Sequence, residues 1–153
     1  MSILFRKDYF IESDALMEAG EASFDAKRCL RQLGIPNEAV RRAGICMYEA
    51  EINMVLHANG GRASVIVTED EIRLHLADEG PGIPNVELCM QEGVSTAAEA
   101  AHEAGFGAGM GLPNMKKYSD SLTIATAVGV GTEVTMSIRY TPQTRQEGAA
   151  RAC

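Results

Sequence analysis

The 153-residue chain has no tryptophan, only 5% aromatic residues, and no apolar run near the ~20 residues that span a bilayer. No basic segment leading into an apolar one resembles a secretory leader. Cysteine is sparse: Cys29, Cys46, Cys89 and Cys153 are scattered, without a CxxC pair or a histidine at zinc-ligand spacing. That excludes a zinc module and a disulfide framework. Three of the four read as small core residues and Cys153 as a tail thiol, and free thiols suit a reducing cytoplasm. Basic charge is also short, with 14 Lys and Arg against 21 Asp and Glu, a formal net charge of -7 and no basic run. Nucleic acid is therefore not an expected partner, because a phosphate backbone is held by clustered Lys and Arg. A membrane is not expected either.

What is present suits one globular domain. The chain is 46% hydrophobic and 23% charged, and long enough to bury a core. Residues 1–140 read as that domain and 141–153 as a polar tail expected to fray. Ile3 to Ile11 reads as an edge strand. A first helix runs from a cap at Asp14 to Leu33, weakened in its middle by Gly20. Asn37 caps a second helix that runs to about Asn59 and stops at Gly60-Gly61. Arg62 to Thr68 and Glu71 to Ala77 form a hairpin around Glu69-Asp70, and Leu122 to Thr126 and Glu133 to Tyr140 form another. A short helix covers Leu112 to Tyr118. Helices on one face of a mostly antiparallel sheet make a two-layer α+β sandwich.

Glu49, Asn53 and His57 recur every four residues, each ~40° around the second helix from the last. They form a polar stripe beside an apolar one of Ile45, Tyr48, Ile52, Val55 and Leu56, which is expected to face the sheet. The polar stripe then lies at the core margin, where a pocket would open. Glu51 points the other way and is expected in solvent, so Glu49 is the candidate for chemistry. The same spacing also decorates solvated helix faces, and His57 reads equally as a capping histidine. The helix alone leaves both readings open.

On the strand from Glu71 to Ala77, the parity of Ile72, Leu74 and Leu76 carries Asp78 to the core side. Glu79-Gly80-Pro81-Gly82-Ile83-Pro84 follows, where two glycines allow a tight turn and close approach to a flat ligand. An ionised Asp accepts hydrogen bonds, which suits an exocyclic amino group; an Asp that merely opens a turn is the plainer alternative. Gly105-Phe106-Gly107-Ala108-Gly109-Met110-Gly111 then leads into the helix at Leu112. Alternating glycines at a helix start offer backbone N–H groups to phosphate, or serve as a lid hinge. The spacing fits neither a Rossmann fingerprint nor a Walker A loop.

Together these strings resemble the GHKL ATPase superfamily, that of gyrase, heat-shock protein 90, histidine kinases and MutL-like proteins. Glu49-x3-Asn53-x3-His57-Ala58 resembles its N box, Asp78-Glu-Gly-Pro-Gly82 its G1 box, Gly105 to Gly111 its G2 box, and Gly131-Thr132 its last signature. DEGPGIPNVELCMQEGVST and GFGAGMGLPNMKKYSD are similar in particular to the anti-sigma-factor serine/threonine kinases and related switch kinases. The resemblance implies that Asn53 holds Mg²⁺ bridging the phosphates of ATP or ADP and that Asp78 reads adenine. It implies that Glu49 is the general base. The nucleotide contacts it implies also include His57, Gly80, Gly82, Ile83, Ser95, Thr96, Gly105, Gly107, Gly109, Met110, Gly111, Leu112 and Thr132. The implied activity is protein serine/threonine phosphorylation, with an ATP-dependent binding switch or a slow ATPase as alternatives. The implied partner is a sigma factor or a small anti-sigma antagonist domain, and a homodimer is open. A histidine-kinase catalytic domain fits less well, since no phosphoacceptor helix and no Phe-rich box between Gly82 and Gly105 is present. One departure is that Gly93 to Ala104 holds no Lys or Arg to neutralise phosphoryl charge; His102, Lys116 and Lys117 are the nearest candidates.

Overall fold

The computed structural model describes residues 2–12, 19–57, 60–83, 90 and 111–142. Five strands, β1 (Phe5–Glu12), β2 (Gly60–Val67), β3 (Glu71–Asp78), β4 (Ser121–Ala127) and β5 (Gly131–Arg139), form one sheet in the order β1-β2-β3-β5-β4. Every neighbouring pair is antiparallel. The helices are α1 (Glu21–Gln32), α2 (Asn37–His57) and α3 (Gly111–Tyr118). This is the α+β sandwich expected.

Strand alternation builds the core. Register places Val65 beside Leu74 and Leu74 beside Met136, with Ala63, Leu76 and Val134 on one side and Val67, Ile72 and Ile138 on the other. All nine are buried. The alternate residues Arg62, Arg73, Glu133 and Arg139 are exposed on the opposite face. Burying each large apolar side chain of that grid contributes ~1.5–3 kcal/mol.

Three differences from the sequence reading have clear causes. Gly20 does not interrupt α1 but precedes it, at φ +102, a left-handed conformation that glycine adopts without strain; Asp14 lies outside the described residues. β2 starts at Gly60 rather than Arg62, because Gly61 pairs with Asp78 at a spot with no space for a side chain. A Cβ there would stand 2.2 Å from the Ala77 carbonyl oxygen and 2.5 Å from Met54 Cε. The most buried stripe of α2 is Val40, Ala43, Cys46, Met47, Ala50 and Met54; Ile52 and Val55 are also buried, while Ile45, Tyr48 and Leu56 are only half-buried. α2 is packed by the sheet, α1 and α3 together, so its buried arc is wider than a one-sided helix would show.

Glu51 is the fourth difference, and it reverses the expectation of solvent exposure. It is 3% exposed and accepts backbone N–H groups from Gly20 (2.9 Å), Ala22 (3.3 Å) and Ser23 (3.0 Å). The first N–H groups of a helix lack intrahelical partners, and Gly20 has no side chain to supply one. A carboxylate from α2 does so instead.

Two polar clusters fix the helices at the sheet margins. Asp25 of α1 accepts from Lys7 Nζ and Tyr9 Oη of β1, both at 2.6 Å, and from Arg28 at 2.7 Å. Arg42 of α2 donates to Glu38, to Asp120, to the Tyr118 carbonyl at the end of α3, and to the Arg139 carbonyl at the end of β5. Cys29 and Cys46 are buried thiols, as expected; Cys89 and Cys153 lie outside the described residues. Burial pushes the Cys46 thiol up to about 12.

Candidate functional site

Glu49 and Asn53 lie one turn apart on α2, both half-buried, where the first turn of α3 crosses. A Cβ at Gly111 would stand 3.2 Å from Asn53 Nδ2, 3.3 Å from its Oδ1 and 3.6 Å from Glu49 Oε2. Gly111 thus brings backbone to both polar groups at once, which a side chain at this position would obstruct. Leu112 and Met115 are buried beneath α3, and Cys46 Sγ reaches the Met115 carbonyl oxygen at 3.8 Å. Asn114, one turn into α3, donates from Nδ2 to Glu49 Oε1 at 3.1 Å. Among the described residues, the Asn53 amide has no hydrogen-bond partner.

Asp78 closes β3 on the side that parity predicts, half-buried after Ile72, Leu74 and Leu76. Its Oδ1 accepts the backbone N–H of Gly80 at 2.8 Å and of Thr132 at 3.2 Å. Both donors meet one oxygen, so Oδ2 keeps its acceptor capacity among the described residues. The plainer turn-forming role is therefore real, and it leaves half of the carboxylate free for a ligand. The Gly61–Asp78 pair underlies Met54, the residue after Asn53, so α2 passes over the end of β3.

The turn after Asp78 is docked on the β4–β5 hairpin. Ile83 donates its N–H to Thr126 Oγ1 at 2.9 Å, Thr126 and Thr132 share a hydroxyl bond of 2.9 Å, and Gly129 donates to the Pro81 carbonyl at 2.8 Å. Gly82 adopts φ +80 with a Cβ position 2.6 Å from the Ala127 carbonyl oxygen, so only glycine fits. Gly80 and Thr132 are thus bonded to Asp78, Gly82 and Ile83 are held against the β4–β5 hairpin, and Gly111 is brought to Glu49 and Asn53, with Leu112 buried beneath α3.

His57 ends α2, with its side chain outside the described residues, as are Ser95, Thr96, His102, Gly105, Gly107, Gly109 and Met110. Lys116 and Lys117 are exposed on α3. No group of three His, Cys, Asp or Glu side chains suited to a metal occurs among the described residues. An open cavity of about 450 Å³ lies elsewhere, between β1 and α1, and none of the candidate residues lines it. No described helix is long and apolar enough to cross a membrane.

Sequence reasoning missed Asn114 and Thr126. Asn114 follows Gly111 by three, so helical phase puts the two on one face. Thr126 shares the register position of Thr132 across the hairpin, a signal readable only once the pairing is known.

The arrangement has counterparts among known proteins. A family model described as the histidine kinase-like ATPase domain matches residues 14–138. The chain is 28% identical over 108 residues to the serine/threonine-protein kinase RsbT of Bacillus subtilis, covering 68% of this chain and 75% of that one. It is 32% identical over 94 residues to an anti-sigma F factor of Caldanaerobacter subterraneus, covering 58% of this chain and 62% of that protein. The mycobacterial sensor histidine kinase MprB shares the fold, with a TM-score of 0.52 over 91% of this chain and 100% of its own, at 18% identity.

Proposed function

The chain belongs to the histidine kinase-like ATPase family, and on that premise we propose that it binds ATP and phosphorylates a serine or threonine of a small protein partner. The observation that carries this reading is the meeting of Glu49 and the Asn53 amide at Gly111. In the proposed step the partner's hydroxyl oxygen attacks the γ-phosphorus and the bond to the β-phosphate oxygen breaks. ADP leaves, and the hydroxyl proton passes to the Glu49 carboxylate. Asp78 Oδ2 takes the adenine amino group, while Gly80, Gly82, Ile83 and Thr132 hold the turn that shapes the base pocket. The phosphate contacts are proposed for Gly105, Gly107, Gly109, Met110, Gly111 and Leu112, with Ser95, Thr96 and His57 beside them.

The Asn53 amide oxygen would hold Mg²⁺, an ion that usually keeps several waters and takes few protein ligands. When bound, it supplies charge neutralisation on the phosphoryl oxygens. The partner is proposed to be a sigma factor or a small antagonist domain, since similar proteins carry the names anti-sigma F factor and serine/threonine-protein kinase. A homodimer and a cytoplasmic location are proposed with it. A second reading, an ATP-dependent binding switch or slow ATPase, is favoured by the stretch from Gly93 to Ala104, which contains no Lys or Arg.

Millimolar ATP with Mg²⁺ should raise the melting temperature by linkage. Asp78→Asn should weaken binding by about 10-fold or more, because an amide donor can meet the adenine amino group where a carboxylate oxygen had accepted. Labelled ATP should transfer phosphate to a partner Ser or Thr, and Glu49→Ala should abolish transfer while keeping the thermal shift. Labelling that survives in Glu49→Ala would remove Glu49 from the mechanism, and absence of any thermal shift would remove the nucleotide.

A further inference from the structure

We infer that Asn114 is the positioning residue for Glu49, tethering one carboxylate oxygen so that the other faces the reacting hydroxyl. The inference deepens the proposed function and rests on Glu49 being its base. A glutamate side chain with no partner samples many rotamers, whereas a carboxylate hydrogen-bonded at one oxygen is held in one orientation. Asn114 Nδ2 reaches Glu49 Oε1 at 3.1 Å across 65 residues of sequence, the one hydrogen bond to Glu49 among the described residues. An ionised carboxylate accepts only and an amide donates only through its NH₂, so the chemistry itself fixes which end of Asn114 faces Glu49.

The second oxygen faces Gly111. Oε2 is 3.6 Å from the Cβ position of Gly111, which is also within 3.2 Å of the Asn53 amide. The tether thus points the free oxygen toward the place where the Asn53 amide also stands. Asn114 is itself well held: Leu112 and Met115 are buried on either side of it in sequence, and Arg42 grips the Tyr118 carbonyl at the far end of α3. An anchor on a clamped helix can hold a base to the tolerance that proton transfer needs, where a displacement of about 1 Å costs on the order of 100-fold in rate.

The test follows steady-state phosphate release from ATP with Mg²⁺, in which water replaces the partner's hydroxyl and no partner protein is needed. Asn114→Ala should lower kcat about 10-fold or more with KM for ATP changed less than about 2-fold. Asn114→Asp, nearest to Asn in shape but presenting an acceptor, should be lower still. A packing role would reverse that order, with the isosteric Asp milder than Ala, and would overturn the inference. ATP-induced melting shifts verify that each variant folds. The Asn114 side-chain amide protons of the unaltered protein give a second readout by NMR. The downfield member of the pair should move upfield in Glu49→Ala, and its indifference would overturn the inference without any Asn114 variant. If the unaltered protein releases no phosphate although ATP raises its melting temperature, only the slow-ATPase alternative falls, and the NMR response of the Asn114 amide to Glu49→Ala alone decides the tether. If it turns over, Glu49→Ala does not, and both Asn114 variants match the unaltered protein, only the positioning role falls.

Discussion

Glu49 and Glu51 stand two positions apart on α2, which at ~100° per residue sets them on nearly opposite sides of the helix. One meets the glycine that opens α3, and the other is sealed against the start of α1. Periodicity alone set the two on opposite sides of α2 but misplaced Glu51 in solvent, because solvent exposure depends on a neighbouring helix that no single helix's pattern can reveal. The three N–H groups that Glu51 accepts would lose their acceptor with it. Glu51→Gln turns an NH₂ toward donors, so it should cost about 2–3 kcal/mol in urea unfolding. Glu49→Gln, at a half-buried position with one hydrogen bond, should cost less than about 1 kcal/mol. Asp78 shows how far side-chain parity reaches: the strand pattern read its direction, but not that Gly80 and Thr132 would both take the same oxygen.

Among the elements, α1 is tied to β1 through the single side chain of Asp25. The Lys7 ammonium foremost, with the Tyr9 hydroxyl and Arg28 beside it, holds the Asp25 carboxyl well below the usual carboxylate range. A depressed folded-state pKa contributes stability that is complete above the unfolded value of about 4 and is lost as pH falls through the folded one. The stability difference between the native sequence and Asp25→Asn should therefore be constant from about pH 5 to 7 and shrink below about pH 4. Denaturation midpoints across that range check it, and a gap that widens toward acid would refute the assignment. Lys7 and Asp25 carry no sequence signal of their meeting, since strand and helix are joined by a segment whose length does not specify register. The hairpins were legible because apolar alternation and short turns are local, and α3 was legible from the glycines that precede it.

For the whole molecule, the three-by-three apolar grid explains why fold class could be read from one sequence: each strand's alternation independently points to the same covered face. The placement of the candidate residues was legible where it depends on phase within one element, as at Glu49, Asn53 and Asp78. It was not legible where two elements meet, as at Asn114 on Glu49 or Thr126 on Ile83. α2 has to satisfy three neighbours at three angular positions: the sheet through Met54, α1 through Glu51, and α3 through Glu49. Chain length along that helix is consequently constrained far more tightly than residue identity. One alanine inserted between Val40 and Glu49 would rotate everything after it by ~100° relative to the N-terminal half. Such an insertion should remove cooperative unfolding, whereas an extra glycine at the exposed Val128-Gly129-Val130 turn should shift the melting temperature by only a few degrees. Among natural length variants of this domain, insertions are then expected to accumulate in the turns and to be absent from the middle of α2.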